Sequence, residues 1–236
     1  MNLFDVKKKR AYFLRAFIQG VRKEGLSYLR LVCAIIIGYV LTYVKEQSFS
    51  SRGKRYRYFY HPYNHTWVNE RAIEIPLVVA RLKEKEGSVL EIGNVLRSYF
   101  PLKHTVIDKY EQGEHIINED AVDFKLKKKY DMIVSISTLE HVGWDEQKKD
   151  AEKIPRTIEH LRKHLSKKGK LIITVPLGYN PFLDAHISHQ RIPGTISFFK
   201  RGWFGIWKEV AYPQGKNWRY DGMIAARYLA FIEINA

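Results

Sequence analysis

"VLEIGNVLRSYFP", residues 89–101, decides how this chain is to be read. An apolar run carries one carboxylate, meets a single glycine, and then starts like a helix that proline stops. A dinucleotide turn needs the pattern G-x-G-x-x-G, so that backbone can approach a pyrophosphate and set it at a helix N-terminus. Val95 and Ser98 stand where the two further glycines would have to be. The segment is therefore a degenerate dinucleotide loop, a loop for another cofactor, or an ordinary strand–helix corner.

Working outward, a rhythm sets in from residue 88. "SVLEI", "HTVID", "EHII", "YDMIVSIS" and "KLIITVP" read as five short strands, and helical stretches such as "DAEKIPRTIEHLRKHLSKKG" lie between several of them. Apolar strands alternating with helices predict a parallel sheet covered on both faces. Ligands of such sheets sit beyond the carboxyl ends of the strands. The positions that matter are therefore Glu91 and Gly93 after the first strand, Asp108 after the second, Asp120 and Ala121 after the third, and Ser137, Glu140 and His141 after the fourth. Each position also has an ordinary explanation, since Asp commonly fills turns and caps.

In this order and spacing the chain resembles the class I S-adenosylmethionine-dependent methyltransferases, over residues 66–178. "VLEIG" is similar to their first motif, "VIDKYE" to the acidic end of their second strand, and "NEDAVDF" to the adenine-contacting turn. "YDMIVSISTLEHVG" resembles their fourth-strand motif, and "LRKHLSKKGKLIITVP" the helix, turn and strand after it. The resemblance implies an α/β, Rossmann-like fold with a mostly parallel seven-stranded sheet and helices on both faces. "WKEVAY" and "MIAARYLAFIEI" would supply the last two strands. It also implies S-adenosylmethionine as cofactor. That molecule has no phosphate, so one close glycine suffices. Gly93 would let backbone approach it, Glu91 would orient the loop, Asp108 would bind the ribose hydroxyls, and Asp120 with Ala121 would hold the adenine. Only about ten residues separate Gly93 from His104, so the first crossover helix must be very short.

A hydroxyl acceptor needs a base. His141 is the first candidate, with Glu140 beside it, and His186 or His189 the second. A carboxylate next to histidine can also bind a metal. Metal-holding proteins with a similar motif bring another carboxylate a few residues earlier, where this chain has Ser137 and Thr138, so no metal is expected.

The remaining signal is charge. Residues 1–57 hold 13 Lys/Arg against Asp5, Glu24 and Glu46, which is ten of the chain's fifteen net positive charges. "AYFLRAFIQGVRK" spaces Phe13, Leu14, Phe17, Ile18 and Val21 helically, and "LVCAIIIGYVLTYV" is an apolar run of fourteen residues, short for a bilayer span of about 17–25. Residues 1–54 thus form a basic, apolar helical arm ahead of a domain at 55–236. The arm's apolar run packs on the domain, contacts an anionic membrane surface, or accompanies a nucleic-acid role. "RYRYFYHPYNHTW", residues 55–67, can stack bases, but its alternation of Tyr56, Tyr58 and Tyr60 with Arg55 and Arg57 favours a strand. "NERAIEIPLVVARLKEKEG" reads as a helix with Ile73, Leu77, Val78 and Leu82 facing the core. The single cysteine, Cys33, excludes an internal disulfide framework and fits a reducing, cytoplasmic setting, with the arm at or in the membrane as an alternative. Three functions stay open: a small-molecule or glycan O-methyltransferase, an RNA methyltransferase, and a non-catalytic binding scaffold.

Overall fold

The rhythm from residue 88 folds as one sheet. The structure, a computed structural model, describes residues 25–44, 47–84, 86–213, 218, 220–221 and 225–236. The helical spacing at residues 11–23 falls outside them. An α-helix, α1 (Leu26–Leu41), leads into an antiparallel hairpin of β1 (Ser48–Ser51) and β2 (Lys54–Arg57), then α2 (Arg71–Glu84). The alternation in 55–67 thus yields a strand only at its start, because Pro62 and a 3-10 segment at Tyr63–Val68 follow.

The sheet comprises β3 (Val89–Ile92), β4 (Thr105–Ile107), β5 (Ile116–Ile117), β6 (Tyr130–Ile136), β7 (Leu165–Pro176), β8 (Thr195–Arg201), β9 (Trp207–Val210) and β12 (Tyr228–Asn235). A small separate hairpin joins β10 (Tyr220–Asp221) and β11 (Ala225–Ala226). The order across the sheet is β5-β4-β3-β6-β7-β12-β8-β9. β5 to β7 run parallel, whereas β12 lies antiparallel between β7 and β8, and β9 closes the edge antiparallel to β8. The sheet therefore has eight strands rather than the expected seven. The addition is β8, "TISFFKR", whose apolar residues follow a Pro-Gly pair; "WKEV" becomes the outer edge strand and "YLAFIEIN" the inserted one.

Both faces are covered. Ile73, Leu77 and Val78 of α2 pack on Met132, Val134, Ile172 and Phe231. Ile154, Ile158 and Leu161 of α3 (Lys153–Lys163), with Leu183 and Ile187 of α4 (Pro181–Ser188), cover Ile133, Leu171 and Ile173 on the other face. Pro76 lies inside α2 and has no N–H for the Ala72 carbonyl four residues back. The Phe59 N–H fills that gap at 2.9 Å, which ties the strand–turn segment to the helix.

The fold is Rossmann-like, and its strand order reverses at β3, with β4 on one side and β6 on the other. Such a switch point leaves a crevice beyond the strand ends.

Candidate functional site

A cavity of about 470 Å³ occupies that crevice. Its walls include Gly93, Asp108, Asp120, Ala121 and His141, which the strand-end pattern singled out, together with Thr138 and Asp145. Glu91, Ser137 and Glu140 are not on the wall.

Glu91 is fully buried behind the loop. Its Oε1 accepts from the Val95 and Leu96 N–H groups at 2.9 and 2.7 Å, and its Oε2 lies 2.6 Å from His104 Nε2. No helix follows β3, only a 3-10 turn at Leu96–Ser98, and the carboxylate takes the N–H groups that would open it. Those donors are thus unavailable to a phosphate. Glu91→Ala should lower stability by about 1–3 kcal/mol by stranding them. Urea denaturation would read this, and an unchanged midpoint would show that water replaces the carboxylate.

Gly93 has φ +82°, and an added Cβ would collide with the Thr138 side chain. Asp108 Oδ1 accepts from the Tyr110 and Glu111 N–H groups, both at 2.8 Å, while its Oδ2 has no hydrogen-bond partner among the described residues. Asp120 is more occupied than expected. Lys109 and Lys153 reach its Oδ2 at 2.9 and 2.7 Å, and both also pair with Glu146. Burial alone would raise the Asp120 pKa, but the hydrogen bonds from Lys153 and Lys109 bring it below the ordinary range. The three loops after β4, β5 and β6 are thereby tied together.

His141 closes a 3-10 turn, Leu139–His141, after β6. Asn180 holds this turn in place: its side chain accepts from Phe182 and Leu183 N–H at the start of α4, and donates to the Glu140 carbonyl at 2.9 Å. His141 Nδ1 lies 2.6 Å from Asp145 Oδ2, which also accepts from the Tyr179 hydroxyl at 2.6 Å. Burial would raise the Asp145 pKa, but Tyr179 and His141 together hold it low, so an ionised carboxylate orients the imidazole. Sequence reasoning missed Asp145, whose i, i+4 spacing from His141 is a signal for such a pair; Tyr179 lies 34 residues from its partner and gives none.

Glu140 and Ser137 turn away from the cavity. The Ser137 hydroxyl donates to Glu74 Oε1 at 2.6 Å. Glu140 is buried, its Oε2 lacks a hydrogen-bond partner among the described residues, and its Oε1 lies 3.8 Å from His141 Nε2. Burial holds its carboxyl well above the usual range, and Glu74 and Glu70 add to this against Arg71. His186 bonds the Ala151 carbonyl and His189 the Ala185 carbonyl, and neither lines the cavity. No group of three or more His, Cys, Asp or Glu side chains is placed to hold a metal among the described residues.

No family model matches the chain, and no curated protein matches it. Solved structures do resemble it. One is the N-methyltransferase NodS from Bradyrhizobium japonicum in complex with S-adenosyl-l-homocysteine, at 15% identity over 70% of this chain and 86% of that one, with TM-score 0.46. Another is an S-adenosylmethionine-dependent methyltransferase from Clostridium acetobutylicum, at 11% identity over 66% and 88%, TM-score 0.37. A third is magnesium protoporphyrin IX methyltransferase from Synechocystis with bound SAM, at 14% identity over 67% and 74%, TM-score 0.37. These are distant likenesses, and a functional reading has to stand on the residues of the site.

Proposed function

We propose that the chain is an S-adenosylmethionine-dependent methyltransferase acting on a hydroxyl of a small-molecule or glycan acceptor. Residues 55–236 serve as its catalytic domain, and residues 1–54 as an arm toward an anionic membrane surface. One observation carries the reading. The strand-end cavity has a bare glycine and a ribose-suited aspartate at one part of its wall, and a carboxylate-oriented histidine at another.

The charge of the wall fits this cofactor and opposes a dinucleotide. Asp108, Glu111, Glu119, Asp120, Asp145 and Glu146 face Lys109 and His141. An acidic wall favours a sulfonium cation and disfavours a pyrophosphate. Gly93 would admit the cofactor's backbone-facing part, Asp108 the ribose hydroxyls, and Ile92, Ile107, Ala121 and Val142 would flank the purine. Asp120, already held by two lysines, serves better to fix the loops than to grip adenine directly. When bound, the cofactor supplies an electrophilic methyl group on a positively charged sulfur.

His141 then holds the acceptor hydroxyl through Nε2, with Nδ1–H directed to Asp145. The acceptor oxygen would take the methyl group, with the sulfonium's electron pair returning to a neutral thioether, while His141 keeps the oxygen in line. The acceptor proton passes to Nε2. Positioning supplies most of the acceleration.

Isothermal titration with S-adenosylmethionine tests the reading. Asp108→Ala should weaken binding by about 1.5–3 kcal/mol, the scale for losing hydrogen bonds to a charged group. NAD should give no heat. Unchanged affinity in folded Asp108→Ala removes this residue from the site, and tight NAD binding overturns the cofactor.

A further inference from the structure

Helix α1 uses one side to hold the domain. There Gly38 lets the helix close on Val68 and Trp67, and the Trp67 indole N–H donates to the Ile35 carbonyl at 2.9 Å. The other side is bare. Ile36, Ile37 and Val40 are 57%, 56% and 58% exposed, and the exposed stripe runs on through Leu29, Cys33, Tyr43 and Val44. Three- and four-residue spacing makes these one continuous face. Beside it, Trp203 at the turn between β8 and β9 is 88% exposed. Contiguous apolar surface left in water forgoes roughly 25 cal/mol per Å², and monomeric proteins seldom leave such patches without a partner.

Between α1 and that turn runs a groove of about 530 Å³. Ile37, Leu41, Trp67, Val68 and Trp203 make it apolar, Lys200, Arg201 and Arg227 make it cationic, and no carboxylate among the described residues lines it. Lys208 stands opposite Lys200 in the β8–β9 pairing and adds a further cation nearby. Ten of the chain's fifteen net charges also lie within residues 1–57, the stretch that contains α1. A wholly water-soluble anion would leave the apolar wall unused, and an apolar peptide would leave the cationic rim unused. An anionic amphiphile satisfies both. With 16 residues the helix is roughly 24 Å long, short of the ~30 Å hydrocarbon core, and no described helix is long and apolar enough to cross a membrane. A helix lying in the plane of the interface, with aromatic side chains at headgroup level, fits these dimensions.

We propose that this face seats the anionic phospholipids of a bilayer surface. Phosphate meets Lys200, Arg201 and Arg227, an acyl chain lies along Ile37, Leu41 and Trp203, and α1 rests in the interface plane. The proposal builds on the anionic-surface half of the functional reading and is independent of methyl transfer.

Flotation of the full chain with phosphatidylcholine vesicles, with and without phosphatidylglycerol, tests it. Binding is expected with the anionic vesicles and should fall as salt is raised, since such attraction is screened within about 10 Å at 0.1 M. Lys200→Ala with Arg227→Ala should weaken partition about 30-fold, the fold-change that roughly 1 kcal/mol per basic residue at an anionic leaflet converts to. Ile37→Gln with Trp203→Gln should lower binding to both vesicle types, and the full chain's tryptophan emission should shift to the blue on vesicles, but not in Trp203→Phe. Equal partition into neutral vesicles, unchanged binding by either double variant, or a stable dimer that buries Trp203 in solution would overturn the proposal. S-adenosylmethionine titration of the same proteins separates the two ideas. Lost vesicle binding with intact cofactor binding marks the lipid seat, whereas vesicle binding without cofactor binding defeats only the methyltransferase reading.

Discussion

Replacing His141 by alanine is expected to lower turnover roughly 10²–10⁴-fold, the usual worth of a positioned general base, with S-adenosylmethionine affinity nearly unchanged. Turnover is read as S-adenosylhomocysteine release with an acceptor found by screening small molecules and glycans. The reason is local. His141 stands on the cavity wall with Nδ1 fixed by Asp145 at 2.6 Å, so the tautomer that leaves Nε2 free to accept a proton is favoured. Asp145→Asn keeps the shape but can donate to Nδ1, which selects the opposite tautomer. It should therefore lose a large part of the same rate, while Tyr179→Phe, which removes only a second bond to Asp145, should lose less. A structural His141 would give a different pattern: a lower melting temperature and unchanged turnover per folded molecule. His186→Ala serves as the contrast, because that imidazole bonds a backbone carbonyl and is buried off the cavity.

What was legible in the sequence follows from period and place. β3, β4, β6 and the core of β7 are apolar runs buried on both faces, and such runs announce themselves. Gly93, Asp108, Asp120, Ala121 and His141 share one cavity wall because a parallel sheet collects its strand ends on one side. That rule locates residues but not their side-chain directions. Glu91 alternates to the face behind the loop, and Ser137, at φ +37°, turns its hydroxyl to Glu74. β8, "ISFFKR", reads like the tail of the preceding loop; its partners are the edge strand β9 on one side and the distant C-terminal strand β12 on the other. The lysine clasp on Asp120 joins positions 109, 120, 146 and 153, and no local pattern encodes such a meeting.

Arg71→Met should cost about 3–5 kcal/mol of stability near neutral pH, because removing one partner strands buried opposite charges. Arg71 pairs with Glu74, and Glu70 and Glu140 act on it as well. Burial alone would ease the proton off the guanidinium, but these three carboxylates more than reverse that. Glu70 and Glu140 are both held above the ordinary glutamate value of 4.5, by burial first and by Glu74 next among the charges. An acid whose folded pKa is raised contributes stability that is full below its unfolded pKa and lost as pH rises through the folded one. Without Arg71 the folded values climb further, so the gap between variant and parent should widen with pH. Urea denaturation at about pH 5 and pH 8 would show it, with the larger loss at the higher pH. Glu140→Gln should partly restore the variant at the higher pH, by removing a buried charge whose Oε2 has no hydrogen-bond partner among the described residues. A pH-independent loss would mean that the arginine acts through packing alone. The cluster's position links this stability to function. Ser137, in a backbone region that costs non-glycine residues about 1–3 kcal/mol, is held by its bond to Glu74. Four residues on, the same turn presents His141 to the cavity. Loss of Arg71 should therefore slow methyl transfer as well as lower stability.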